Sequence, residues 1–191
     1  MEDLINKIKT SLQLSSEAEK FLYSISKEKQ LSKGDVLIRQ GQIVKKTFFV
    51  TSGCLRSFCI DKNGREHTLL FAIKDWWISD YIAILTDELA SLTVECLTES
   101  KVIEFNAKEL DGIHSRFPEF ESYQRHNLER HVVSLQKRIL NQLQLSAAER
   151  YDLFLKQYPD IERHTRNYHI ASFLGITQES LSRIRVEKAK K

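Results

Sequence analysis

Apolar positions at the start of the chain recur at helical spacing: Leu4, Ile5, Ile8 and Leu12, then Ala18, Phe21, Leu22 and Ile25. The spacing predicts two short amphipathic helices, the second opened by a serine N-cap in "LSSEAEK". From residue 31 to 105 the pattern changes to short runs rich in Val, Ile, Phe and Thr: "DVLIRQ", "KTFFVTS", "CLRSFCI", "HTLLFAI", "LTVECLT" and "KVIEFN". Four of the six glycines (Gly34, Gly41, Gly53, Gly64) fall between or beside these runs, and "DKNGRE" reads as a hairpin turn. Short strands separated by turn residues predict a compact β-sandwich or roll.

Beyond Phe117-Pro118 the chain turns helical again, and Leu128, Val132, Leu135 and Ile139 are spaced 4, 3 and 4 apart. That spacing is a coiled-coil seam and predicts a dimer interface. A helix lying on its own sandwich would satisfy the same pattern, but the length of the segment favours the dimer. "SAAERYDLFLKQYP" predicts a further helix, capped by Ser146 and ended before Pro159. The expected class is α+β: a β-roll with its leading helices over residues 1–117, a dimerisation helix over 118–145 and a helical domain over 146–191.

The last segment, "NYHIASFLGITQESLSRIR", carries the most specific pattern. Ile170, Leu174, Ile176, Leu181 and Ile184 supply the apolar positions. Ala171 permits two helices to cross closely, and Gly175 can take the left-handed conformation of a sharp corner. With about 100° per residue, Leu181 and Ile184 face inward. Glu179, Ser182 and Arg183 then face out, flanked by Gln178 and Ser180, and Thr177 caps the second helix. Any two-helix corner is apolar inside and polar outside. Here, however, the exposed groups also match base edges: arginine for guanine, carboxylate for the cytosine amine, glutamine for adenine.

Charge sharpens this reading. The net charge is only +3, but seven Lys/Arg against two Glu from Arg163 onward place +5 there and leave −2 on the rest. Arg185, Lys188, Lys190 and Lys191 are candidate phosphate contacts. The N-terminus lacks a signal-type apolar run and no stretch approaches a membrane span, so a cytoplasmic protein without membrane contact is expected. Three scattered cysteines (Cys54, Cys59, Cys96) suit neither a disulfide framework nor a metal site, and too few are present for an iron–sulfur cluster. No cofactor or metal is expected.

"YHIASFLGITQESLSRIR" resembles the helix-turn-helix of the Crp/Fnr family of bacterial transcription regulators. The stretch "KGDVLIRQGQIVKKTFFVTSGCLRSFCIDKNGREHTLLFA" is similar to that family's cyclic-nucleotide-binding-type roll, and the order of elements matches over nearly the whole chain. The resemblance implies a homodimer on a pseudo-palindromic double-stranded operator, RNA polymerase as a further partner, and a small-molecule effector. It implies that Gln178, Glu179 and Arg183 read bases while Thr177 and Ser180 assist at the backbone. Gln178 stands where the family often has arginine, and the β-hairpin wing that often follows is expected to be absent or truncated.

In cyclic-AMP-binding members a glycine–glutamate pair holds the ribose, and an arginine with a small hydroxyl residue holds the phosphate. Here Ile78, Ser79 and Asp80 stand at the first place and Ala90 and Ser91 at the second, with no arginine between Lys74 and Lys101. A cyclic phosphate needs a charge-assisted partner, so this roll is not expected to bind cyclic AMP in the usual way. Trp76, Trp77 and Tyr81 could line an alternative effector pocket, although core packing would account for them more simply.

Two other classes compete. A cupin-like small-molecule-binding protein or enzyme would need a metal cluster of histidines on its strands, and only His67 of the six histidines lies there. No nucleophile elbow, phosphate loop or zinc-protease motif is present, so an enzyme is not expected. A non-DNA-binding sensory or interaction protein on the same roll is the other alternative.

Overall fold

The structure is a computed structural model that describes residues 1–190. Two helices, α1 (Glu2–Lys9) and α2 (Ser16–Ser24), lead into strands β1 (Ser26–Leu31), β2 (Val36–Ile38), β3 (Lys46–Ser52), β4 (Leu55–Ile60), β5 (Glu66–Ala72) and β6 (Trp77–Ile78). Helix α3 (Tyr81–Thr86), strands β7 (Thr93–Cys96) and β8 (Ser100–Asn106), and short helices α4 (Ala107–Asp111) and α5 (Ile113–Arg116) complete the N-terminal part. The long α6 (Glu119–Gln144) is followed by α7 (Ala147–Gln157), α8 (Ile161–His164), α9 (Asn167–Leu174) and α10 (Gln178–Ala189). The α+β class and the order of elements agree with the sequence pattern.

The strands form two antiparallel sheets, ordered β1-β8-β3-β6 and β2-β7-β4-β5. Side chains between them, including Phe48, Val50, Leu55, Ile78, Val94 and Val102, make the central core. The outer face of the first sheet, through Phe49, Ile103 and Phe105, packs on Leu4, Ile8 and Leu22 of the leading helices and on Phe120 and Tyr123 of α6. The outer face of the second sheet, through Phe71, packs on α7, α9 and α10. β3 is buried on both faces from Thr47 to Val50, which is why its sequence is a continuous apolar run and does not alternate.

Local signals hold where they were strong. Ser15 caps α2 by accepting from the Ala18 N–H at 3.2 Å, and Ser146 and Glu149 form a capping box at α7. The "DKNGRE" turn closes β4 onto β5, with the Asp61 N–H donating to the Arg65 carbonyl at 2.9 Å. Strands β1 and β6 escape the pattern. β1 reads "SKEKQL" because it is an edge strand, and its Lys29 reaches Glu104 of β8 at 2.6 Å. β6 is only two residues long.

Gly53 turns β3 into β4 with φ +87°, and a Cβ there would stand 2.5 Å from the Glu99 carbonyl and 2.2 Å from the Ser100 hydroxyl. Backbone strain and collision therefore add. Gly53→Ala is expected to cost at least about 2 kcal/mol in urea unfolding. Gly64→Ala, also at positive φ but with open space around it, should cost about 1 kcal/mol; equal losses would refute the collision.

Candidate nucleic-acid interface and sensor cassette

The C-terminal corner is built as its residue types require. Gly175 ends α9 in the left-handed conformation (φ 68°, ψ 37°), and the Ile176 N–H donates to the Ala171 carbonyl at 3.0 Å. Thr177 caps α10, its hydroxyl accepting from the Ser180 N–H at 3.2 Å. Ile170, Ala171, Leu174, Leu181 and Ile184 are buried together with Tyr151, Phe154, Tyr158 and Ile161. Gln178, Glu179, Ser182 and Arg183 are all exposed on the opposite side. Hydrogen bonds from its own backbone N–H and from Thr177 hold the Glu179 carboxyl below its usual range.

The basic side chains divide into two sets. Arg185 is held inside the domain, donating to the Tyr151 hydroxyl at 3.0 Å and the Asn167 side-chain oxygen at 2.6 Å and pairing with Glu162. Lys188 pairs with Asp152. These two candidate phosphate contacts are thus engaged within the domain, whereas Arg183 and Lys190 are exposed. Lys191 lies outside the described residues.

In the roll, the segment between β6 and β7 is organised by Asp80, which is fully buried. Its carboxylate accepts from the Ala83 N–H (3.2 Å), the Ser91 N–H (2.7 Å), the Ser91 hydroxyl (3.0 Å) and the Leu92 N–H (2.8 Å). Donors from two segments thereby converge on one internal anion. Trp76, Trp77 and Tyr81 do not share a pocket. Trp77 packs edge-on against Phe49 at 5.3 Å in the core under the leading helices, whereas Trp76 faces Tyr158 at 6.2 Å. Tyr81 lies against His131 of α6 at 6.4 Å. Trp76 precedes β6 and Trp77 opens it, and the two rings enter different clusters: Trp76 the core between the sheets, Trp77 the one under the leading helices.

His67 sits beside the hairpin turn and bonds Asp61 at 2.9 Å, the main reason the Asp61 carboxyl falls to about 2. Cys54 and Cys96 are buried thiols, each pushed up to about 12 chiefly by burial. No cluster of three or more His, Cys, Asp or Glu with metal-site geometry occurs among the described residues. Nor is any described helix long and apolar enough to cross a membrane.

Sequence reasoning missed the contact between sheet and helix corner. The Ser172 hydroxyl of α9 donates to the Glu66 carbonyl at 2.8 Å and accepts from the Thr68 N–H at 2.8 Å, filling the open edge of β5. Arg138 of α6 donates to the carbonyls of Leu69, Thr68 and Phe173, and its guanidinium lies 4.4 Å over the Phe173 ring. On the same sheet face Arg56, 2% exposed, pairs with Glu66 and Glu95 and donates to Thr68. A basic residue in a largely apolar strand was the available signal, and it does not name its partners.

The comparisons with known proteins agree with this geometry. Residues 28–117 match the family model "Cyclic nucleotide-binding domain". The chain is 23% identical over 171 residues to the Transcriptional activator protein FnrA of Stutzerimonas stutzeri, covering 84% of this chain and 69% of that protein. Among solved structures, FixK2 from Bradyrhizobium japonicum superposes with a TM-score of 0.74 at 16% identity, over 87% of this chain and 85% of that one. A regulator assigned to the Crp/Fnr family from Eubacterium rectale gives a TM-score of 0.73 at 18% identity, over 93% and 85%. The chain is thus a cyclic-nucleotide-binding-type roll joined through a long helix to a helix-turn-helix. Its fold is that of the Crp/Fnr regulators.

His169 of α9 is buried in the interface, with its pKa lowered to about 4, first by burial and then by Arg56 and Arg166, against the opposing pull of Glu66. The neutral ring is the docked form. Its contribution is complete above about pH 6.5 and is lost as pH falls toward 4. Thermal melts from pH 7.5 to 5 should show a decline of up to about 1.4 kcal/mol per pH unit attributable to this one group. His169→Gln should flatten that part of the profile, and an unchanged profile would exclude His169 as its source.

Proposed function

We propose that this chain is a homodimeric, sequence-specific DNA-binding transcription regulator of the Crp/Fnr type, not an enzyme. We propose further that its roll does not take cyclic AMP in the usual way. The observation that carries the reading is α10: a helix anchored by Leu181 and Ile184 with Gln178, Glu179, Ser182 and Arg183 all left exposed. Side chains of these types, near the N-terminus of a helix set at a corner, suit major-groove readout. The activator function in the printed name of the relative FnrA supports the same reading.

Dimerisation is supported by α6. Leu128, Val132, Leu135 and Ile139 form one stripe and are each 38–57% exposed in the single chain. Pairing two such stripes removes them from water and sets the recognition helices about 34 Å apart, one turn of duplex. The absence of an arginine in the β6–β7 segment and the filling of its donors by Asp80 argue against a cyclic phosphate there. Such a ligand would have to displace an internal anion without gaining a cationic partner.

Selection of random duplexes by the protein should enrich a twofold-symmetric motif, and no enrichment at low salt would overturn the regulator reading. On the selected site Arg183→Ala should weaken binding by about 1–3 kcal/mol and relax preference at one position per half-site. Because Arg185 and Lys188 are tied within the domain, Lys190→Ala should reduce the salt dependence more than Lys188→Ala. Calorimetry with cyclic AMP should show no binding at micromolar concentrations; heat of binding there would refute the reading of the Asp80 segment as closed to a cyclic phosphate.

A further inference from the structure

A cleft of about 560 Å³ opens between the second sheet and the helix corner, walled by β5, α6, α7 and α9. Leu70, Leu153 and Phe173 supply apolar surface. Arg130, Lys137, Arg138 and Arg150 also line it, and none of the four makes an ion pair among the described residues. The one carboxylate in the lining, Glu129, pairs with Arg125 outside it.

Two of these cations are half-buried, and their polar partners are neutral. Arg138 spends its donors on three backbone carbonyls, and burial lowers its pKa. Arg150 donates to the Leu145 carbonyl at 2.7 Å, while its Nε is buried with no hydrogen-bond partner. Carbonyl dipoles satisfy N–H groups without neutralising charge, so a guanidinium withdrawn from water still favours an anion beside it. The Nε is thus a buried donor left without an acceptor on a residue that lines the cleft.

We propose that this cleft is an effector site for an amphipathic monocarboxylate, its carboxylate between Arg138 and Arg150 and its apolar body against Leu153 and Phe173. The volume falls within the range of small-molecule sites, and a few polar groups in an apolar cleft are what such sites require. The site is separate from the Asp80 segment of the roll. Within the cleft Arg138 lies roughly 90° around α6 from the Leu128–Ile139 stripe, while Leu135 of that stripe also belongs to the lining. Because residues of both β5 and α9 line the cleft, a bound ligand touches the sheet and the helix corner together.

As an effector assignment the proposal rests on the regulator reading, but binding is measured without DNA. The protein would be titrated with decanoate, and with decyltrimethylammonium as a cation of equal chain length, by calorimetry and thermal melting. Both chains can coat the exposed α6 stripe, so the difference between them reports the cleft. Decanoate should bind and raise Tm while the cation does not. Arg150→Gln should weaken decanoate binding roughly ten- to a hundredfold through the lost charged hydrogen bond, and Leu153→Trp should block it by filling the cleft. An equal response to the cation, retained affinity in both variants, or no binding by the unsubstituted protein would each overturn the proposal. Failure to bind any duplex would instead sink the regulator reading and leave the ligand measurement standing.

Discussion

Phe71 is the point where the two halves of the molecule are joined. It is fully buried on the outer face of the second sheet, with Phe154, Tyr158 and Phe173 at 5.9, 5.8 and 5.2 Å around it. This aromatic cluster contributes apolar burial between sheet and helix corner, but it is not directional. Direction comes from Ser172, which fills the open edge of β5, and from Arg138, which ties β5 and α9 to the long helix through three carbonyls. The long helix is thereby anchored at both ends: Phe120 and Tyr123 in the core under the leading helices, Arg138 at the junction. Between the anchors it leaves its apolar stripe exposed.

The elements legible in the sequence are those stabilised locally. The capping box at Ser146, the left-handed Gly175 and the Asp61–Arg65 hairpin each depend on residues within a few positions of one another. Hydrophobic periodicity likewise located both leading helices and six of the strands. What was illegible depends on distant partners. β1 is charged because Glu104 on β8 neutralises its lysine, and no local pattern announces that. Arg56 sits in a strand whose other residues read as core, and only the fold brings Glu66 and Glu95 to it.

The candidate site divides along the same line. The outward face of α10 follows from helical geometry and could be read from spacing alone. The engagement of Arg185 by Tyr151, Asn167 and Glu162 could not, since α7, α8 and α9 must first be folded against α10. Arg185 therefore contributes to holding the corner rigid, and a rigid corner is what lets a short helix present four side chains in a fixed register. The tryptophan pair shows the opposite case: core packing was the simpler account of the adjacent aromatics, and the fold packs them against two different cores.

The polarity of the junction bears on how the molecule could switch. A purely apolar contact between sheet and corner could slide, because burial changes smoothly with displacement. Here Ser172, Arg138 and the Arg56 carboxylate cluster each demand fixed donor and acceptor positions, and a partial shift would leave buried polar groups unpaired at about 1–3 kcal/mol each. Intermediate placements are therefore disfavoured, and the observed seating of the helix corner is held as one defined geometry. A ligand or a protonation that changes the balance between them must act at this junction or through α6. His169 and the cations around Arg138 lie at the junction, so a local change of charge there acts on the contacts that hold α10, through α9, in place.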